Sequence, residues 1–197
     1  MNFQRFYFKE GFNTLTVVDA NSYDKEKYGI IRIDGELTSE LVNSVRDDVL
    51  YLQHDKKAIK ILMNSPGGSV RDGQVLVDLI EGATVPVDIY GTGLVASMGA
   101  LIFAAAPKGH RHLLPSSQVM IHEPRVMGGM GGTATEMEAQ AKSLMNVRNI
   151  TSEVLARHTG HSVAEINRII RNGDKFFTAE GAVAWGIADD IVKTIVY

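Results

Sequence analysis

Cysteine is absent from the 197 residues. That excludes a disulfide framework, a thiol nucleophile and a thiolate metal site, and it makes a reducing compartment compatible without requiring one. An excess of positive charge is missing too: 20 basic residues stand against 23 acidic ones, a formal charge of -3, so no nucleic-acid footprint is expected. No stretch approaches the roughly 18 consecutive apolar residues of a membrane span, and the opening "MNFQRFYFKEGFNTL" mixes charges among its aromatics instead of forming an apolar signal core. Neither an internal repeat nor a low-complexity tract interrupts the chain. The expectation is a cytoplasmic protein with no membrane partner. Its composition, 45% hydrophobic and 22% charged, is that of an ordinary globular protein, and its length suits one domain.

Residues 1–27 lack a clean period and end in the polar run "DANSYDKEKY", so they are read as an arm attached to a single domain spanning 28–197. From there strands alternate with helices. "YGIIRID" reads as a strand, "TSELVNSVRDDVLYLQ" as a helix with Leu41, Val45, Val49 and Leu52 on one side, and "AIKILMNS" as the next strand. "VRDGQVLVDLIEGA" is helical, "VPVDIYGTG" extended, and "SMGALIFAAA" has the small, apolar composition of a buried helix stopped at Pro107. Short extended segments "HRHLLP" and "SQVMIHEP" follow. This βαβ grammar places the chain in the α/β class.

A helix over about 133–158 opens on a capping box, Thr133 with Glu136, and places Met137, Ala141, Leu144, Ile150, Val154 and Leu155 roughly along one stripe. It would be about 39 Å long at 1.5 Å per residue, more than such a domain needs to cover its own core. A helix that protrudes invites a partner; the plainer reading is one helix kinked into two. "SVAEINRIIR" opens on a second capping box, and "TAEGAVAWG" is a short helix that Gly186 can end. "GGMGG" at 128–132 reads as a hinge or loop.

Ser97 lies in "GTGLVASMGALIF", a lone hydroxyl between small residues where a strand gives way to a helix. Nothing bulky shields it, and helix-start N–H groups follow, which is what a nucleophile requires; the plainer reading is a helix cap. "NSPGGSV" at 64–70 places two glycines at another strand-to-helix turn, where the N–H of Gly68 together with that of Met98 could hold an oxyanion. The same run is otherwise a plain Pro-Gly turn, and it lacks the lysine and spacing of a phosphate loop. His122 in "VMIHEP" ends an extended apolar run, as a general base or as a satisfied core histidine. A base needs an orienting carboxylate, and Asp174, Asp189, Asp190 and Glu123 all qualify; spacing selects none of them. His110 and His112 flank Arg111 in the turn-like "GHRH" and alternate as in a metal-binding strand, but no further ligands cluster around them, so no metal is expected.

Taken together and in order, "NSPGG", "ASMGA", "MIHEP", "HTG" and "GDKFFTAEGAVAWGIADDI" resemble the Clp protease proteolytic subunit family, ClpP, over residues 64–191. The resemblance implies a ClpP/crotonase-like spiral of βαβ units with the long helix as a protruding handle. It implies Ser97 as nucleophile, His122 as general base, Asp174 as the orienting carboxylate, and Gly68 with Met98 as the oxyanion hole. It further implies a serine endopeptidase that degrades unfolded polypeptides through an acyl-enzyme. Its subunits would form heptameric rings stacked in pairs, working beside an AAA+ Clp ATPase that uses the ATP, with no cofactor in this chain. The sequence departs from the family at Lys60 and Leu62, where relatives carry partner-docking aromatics, and at Asn172 and Gly173, where relatives carry an acid and an arginine that pair across rings. Two other readings share the fold: a phage-type capsid-maturation peptidase and a crotonase-like acyl-CoA enzyme.

Overall fold

The computed structural model describes residues 6–11, 14–126, 128 and 131–195. Val45, Val49 and Leu52 of the predicted stripe, with Val42 in place of Leu41, which is half-buried, form the buried face of α2 (Ser39–Asp55), which Thr38 caps through its side chain. In the same way Leu76, Val77 and Ile80 bury one face of α3 (Val70–Glu81). The strands β3 (Ile30–Asp34), β4 (Ile59–Ser65) and β5 (Val87–Ala96) pair in parallel. Alternation along β4 sends Ile59, Ile61 and Met63 into the core, and leaves Lys60 and Leu62 half-buried on the other side. Fully burying each such aliphatic side chain contributes about 1.5–3 kcal/mol. Every residue of α4 (Met98–Ala104) is buried, as a helix apolar on all sides must be.

β5 serves two partners in succession. Its first half pairs with β6 (Arg111–Leu113), and its last residues, Leu94 to Ala96, pair with β7 (Gln118–Ile121), both in parallel. β7 in turn pairs antiparallel with β8 (Lys175–Thr178), and β6 pairs with β9 (Asp190–Ile191). The sheet thus has seven strands, and the end of β7 lies between the ends of β5 and β8. α5 (Ala134–Thr159) carries the expected capping box, but none of its residues before Thr151 is buried; Thr151, Ser152, Val154 and Leu155 anchor its last turns beside α6 (Val163–Ile170). Of the predicted apolar stripe, Val154 and Leu155 enter the core while Met137 and Ile150 stay exposed. α7 (Ala179–Trp185) ends at Gly186 in the left-handed conformation.

The arm is more structured than its lack of period suggests. β1 (Phe6–Gly11) and β2 (Thr14–Asp19) form an antiparallel hairpin, and α1 (Ala20–Tyr28) follows where a polar run was read. α1 has no buried residue. Capping by Asp19 starts it, and ion pairs hold it: Arg32 with Asp24 at 2.7 Å and Lys25 with Asp48 at 2.7 Å. Residues 1–5 and 12–13 of the arm, and Met127, Gly129 and Met130 in and beside the glycine-rich hinge, lie outside the described residues.

Arg111 is not a turn residue but the buried cation that joins the ends of the fold. Its guanidinium, 4% exposed, donates to Asp189 Oδ1 at 2.5 Å and Oδ2 at 2.9 Å, to the His158 carbonyl at 2.8 Å and to the Gly186 carbonyl at 3.0 Å. Burial pushes the Asp189 carboxyl up, but bonds from Arg111 and the Gly109 N–H outweigh that and hold it below its ordinary value. A depressed folded value stabilises above the unfolded carboxyl's pKa, and that contribution is lost as pH falls through the folded value. Asp189→Ala strands the arginine, and chemical denaturation should register a loss of about 3–5 kcal/mol at neutral pH. The difference from wild type should shrink under strongly acidic conditions.

Candidate functional site

Ser97 sits at the junction of β5 and α4 with φ 54° and ψ -124°, and among the described residues it is the one non-glycine with positive φ. That conformation costs a β-carbon-bearing residue about 1–3 kcal/mol and persists where the surroundings over-determine it. The surroundings do so from two sides. The Ser97 N–H donates to the Met120 carbonyl of β7 at 2.8 Å, and Gly67 lies so close that a Cβ there would stand 2.6 Å from Ser97 Cβ and 2.8 Å from the Ala96 carbonyl. The side chain of Ser97 makes no cap hydrogen bond to α4, so the helix-cap reading does not hold.

The glycine pair is held from below. Fully buried Ser65 donates to the Gly35 carbonyl at 2.7 Å and accepts from the Gly67 N–H at 3.1 Å. The Leu37 N–H donates to the Gly67 carbonyl at 2.8 Å, and Ser69 N–H returns a bond to the Leu37 carbonyl at 3.1 Å. Gly68 passes against this segment at φ 154°, where a Cβ would be 2.6 Å from the Leu37 carbonyl oxygen. Among the described residues, no backbone acceptor takes the N–H of Gly68 or of Met98. Both are therefore free to receive an oxygen from outside.

β7 delivers His122. Its Nε2 is 2.7 Å from Ser97 Oγ. With the hydroxyl as donor, Nε2 accepts and the ring proton is on Nδ1. Nδ1 is 3.4 Å from Asp174 Oδ1, an ion-pair separation without a hydrogen bond, and it is buried with no other partner. Asp174 stands just before β8, whose Lys175 pairs with Ile121, so the register of β7 and β8 brings the carboxylate to the imidazole. Desolvation pushes the His122 pKa below its ordinary value; Arg125 adds to the fall and Asp174 opposes it.

The structure thus brings Ser97, His122 and Asp174 together, and it occupies the other candidate carboxylates elsewhere. Asp189 is bonded to Arg111, Asp190 is 2.7 Å from His112 Nδ1, and Glu123 is 3.2 Å from Arg148. His110 pairs with Asp88 at 2.6 Å, and among the described residues no group of three or more metal-ligating side chains is gathered. Sequence reasoning missed Ser65 and Arg125, and of Gly67, read as one of the paired glycines, it missed the close approach to Ser97. The strand-to-glycine turn was a signal for Ser65 and Gly67; Arg125 had none. The cleft at the serine and imidazole is lined by apolar Val70, Met98, Leu101, Pro124, Leu155 and Ile170 and by two further hydroxyl residues, Thr151 and Ser152.

A hydroxyl paired to a neutral imidazole at a strained strand-to-helix turn, beside uncommitted amides, is equipped for acyl transfer, the chemistry of peptide and ester hydrolases. The family model described as Clp protease matches residues 19–195. The chain belongs to the Clp protease family and is a peptidase of that family. Its match begins at the residue that caps α1, so the helix missed in the sequence lies within the family's domain. Among the described residues no helix is long and apolar enough to cross a membrane.

Proposed function

We propose that the chain is a serine endopeptidase acting on unfolded polypeptides through a Ser97–His122–Asp174 triad. The observation that carries the reading is the 2.7 Å approach of His122 Nε2 to the oxygen of a serine in the left-handed region. His122 takes the Ser97 proton as Oγ attacks the peptide carbonyl, and the N–H groups of Gly68 and Met98 receive the developing oxyanion. His122 then protonates the leaving amine, the acyl-enzyme forms, and water activated by the same imidazole releases the product. Asp174 orients the imidazole and stabilises it once charged. No step calls on a cofactor or metal.

The assembly belongs to the same proposal: heptameric rings stacked in pairs around a chamber, fed by an AAA+ Clp ATPase in the cytoplasm. Its support is the exposed apolar surface of α5, with Met137 and Met145 at 42% and 52% exposure, and of α2, with Tyr51 at 56%. Lys60 and Leu62 make the docking of such an ATPase the least family-like part of the reading. Nothing favours an acyl-CoA substrate, since such chemistry leaves the serine–imidazole pair idle.

A fluorophosphonate incubated with the protein should modify one residue, mapped by mass spectrometry to Ser97; modification elsewhere, or none, overturns the reading. The pH profile provides a second expected result. A general base must be neutral, and the His122 pKa lies below its ordinary value, so the acid limb of kcat/KM for a short peptide should have its midpoint on the acid side of the ordinary histidine value of about 6.5.

A further inference from the structure

The imidazole Nδ1 is the one atom of the proposed triad without the bond its role demands. It is buried, it carries the proton when Nε2 accepts from Ser97, and Asp174 Oδ1 stops 3.4 Å away. A buried donor left unsatisfied is costly, and a native structure that keeps one has a reason in its surroundings. The surroundings here are explicit. Arg125, three residues beyond His122, donates through Nη2 to the same Oδ1 that faces the imidazole. One carboxylate oxygen is therefore claimed by two donors, and the guanidinium holds it.

We propose that Arg125 is a positioning residue that latches Asp174 away from His122, so that the free protein rests in a restrained form and the triad closes when Arg125 lets go. The inference rests on the peptidase reading above. The geometry suits a latch: the Arg125 side chain is 60% exposed and Asp174 38% exposed, so the contact can break into solvent without opening the core, whereas His122 is 17% exposed and fixed between Ser97 and the sheet. Arg125 and Asp174 line one cleft with Pro124, Arg171 and Gly173, and a carboxylate or carbonyl of a polypeptide bound there is a natural alternative acceptor for the more exposed Arg125.

The charged groups around the imidazole are few. Asp174 faces it directly and Arg125 stands behind that carboxylate; Glu123 is turned to Arg148 of α5, and Arg171 lines the same cleft from the end of α6. Removing the Arg125 charge takes away a cause of the lowered imidazole pKa and frees Asp174 to raise it, so both effects move the titration of His122 upward.

The test compares wild type with Arg125→Gln, Arg125→Lys and Arg171→Gln. It follows fluorophosphonate labelling of Ser97 and kcat/KM for a short fluorogenic peptide across pH. Arg125→Gln should label and cleave about three- to tenfold faster above the titration, the scale of one recovered hydrogen bond of ordinary strength, with its acid limb displaced to higher pH. Arg125→Lys should keep the slow rate and the wild-type limb, because an ammonium can hold the same oxygen. Arg171→Gln removes an equal charge from the same cleft and should change the rate by less than about twofold, since it is not bonded to the carboxylate. An Arg125→Gln protein with an unmoved limb and an equal or lower rate overturns the latch, as does an equal gain in Arg171→Gln. Failure of every variant to label at Ser97 instead overturns the peptidase reading and the latch with it.

Discussion

Ser97→Ala should lower peptide cleavage by about 10⁴–10⁶-fold, and His122→Ala should fall into the same range, because members of a catalytic unit are not additive. The reason lies in the 2.7 Å contact: without the imidazole the hydroxyl holds its proton, and without the hydroxyl the imidazole has nothing to activate. The double substitution should cost little more than either single one. Asp174→Asn should cost less, because it leaves the Ser97–His122 contact in place and removes only the orientation and charge that the carboxylate gives the imidazole. All three variants should keep the wild-type denaturation midpoint within experimental error, since none of these side chains belongs to the hydrophobic core. Equal rates in Ser97→Ala and wild type would remove the serine from the mechanism.

Gly67→Ala should have the second-largest effect, and it should strike stability and activity together. The residue has φ 93°, and a Cβ would lie 2.6 Å from Ser97 Cβ, 2.8 Å from the Ala96 carbonyl and 3.0 Å from the Met98 nitrogen. Neither the backbone nor a β-carbon can swing aside as a long side chain would. Left-handed strain and overpacking together should cost about 2–5 kcal/mol. The displaced elbow should lose roughly 10²-fold in kcat/KM, the scale attached to an ångström of misplacement. Gly109→Ala provides the comparison: at φ 92° with nothing within 4 Å of a new Cβ, it bears the strain alone. It should lose only about 1–2 kcal/mol and retain full activity. The two denaturation curves, read beside the two rates, separate crowding of Ser97 from the conformational penalty of replacing a glycine.

The parts of this protein that were legible in its sequence are those that local chemistry dictates. The buried stripes of α2 and α3, the alternation of β4, the all-apolar α4 and both capping boxes follow from residue order over one or two turns. Ser97 and His122 stood out as candidates because small neighbours and a terminal position on an apolar strand are themselves local features, but a helix cap and a core histidine fitted the same features until the family resemblance chose between the readings. Asp174 was different: residue spacing left it level with Asp189, Asp190 and Glu123, and only the family resemblance selected it. What distinguishes it physically is the pairing of Ile121 with Lys175, a contact between segments more than fifty residues apart. α1 escaped notice because capping and ion pairs hold it instead of an apolar stripe, and β8 because four residues after an Asn-Gly turn carry too little pattern. Arg111 is the sharpest case. Between two histidines it read as part of a turn-like stretch opening an extended segment, and its burial depends on Asp189 and on two carbonyls from distant helix ends.

β8 has a consequence for how competence and foldedness relate. Among the described residues its four members pair with β7 alone; Lys175 and Phe176 are exposed, and Phe177 is the member that enters the core. Opening this border strand uncovers one core side chain, Phe177, rather than the core as a whole, so it costs less than global unfolding. A molecule in that condition keeps the nucleophile and its base in contact, passes every global criterion of being native, and has nonetheless mislaid the proposed third partner. With Asp174 in the proposed role, being folded and being ready to cut are two separate equilibria.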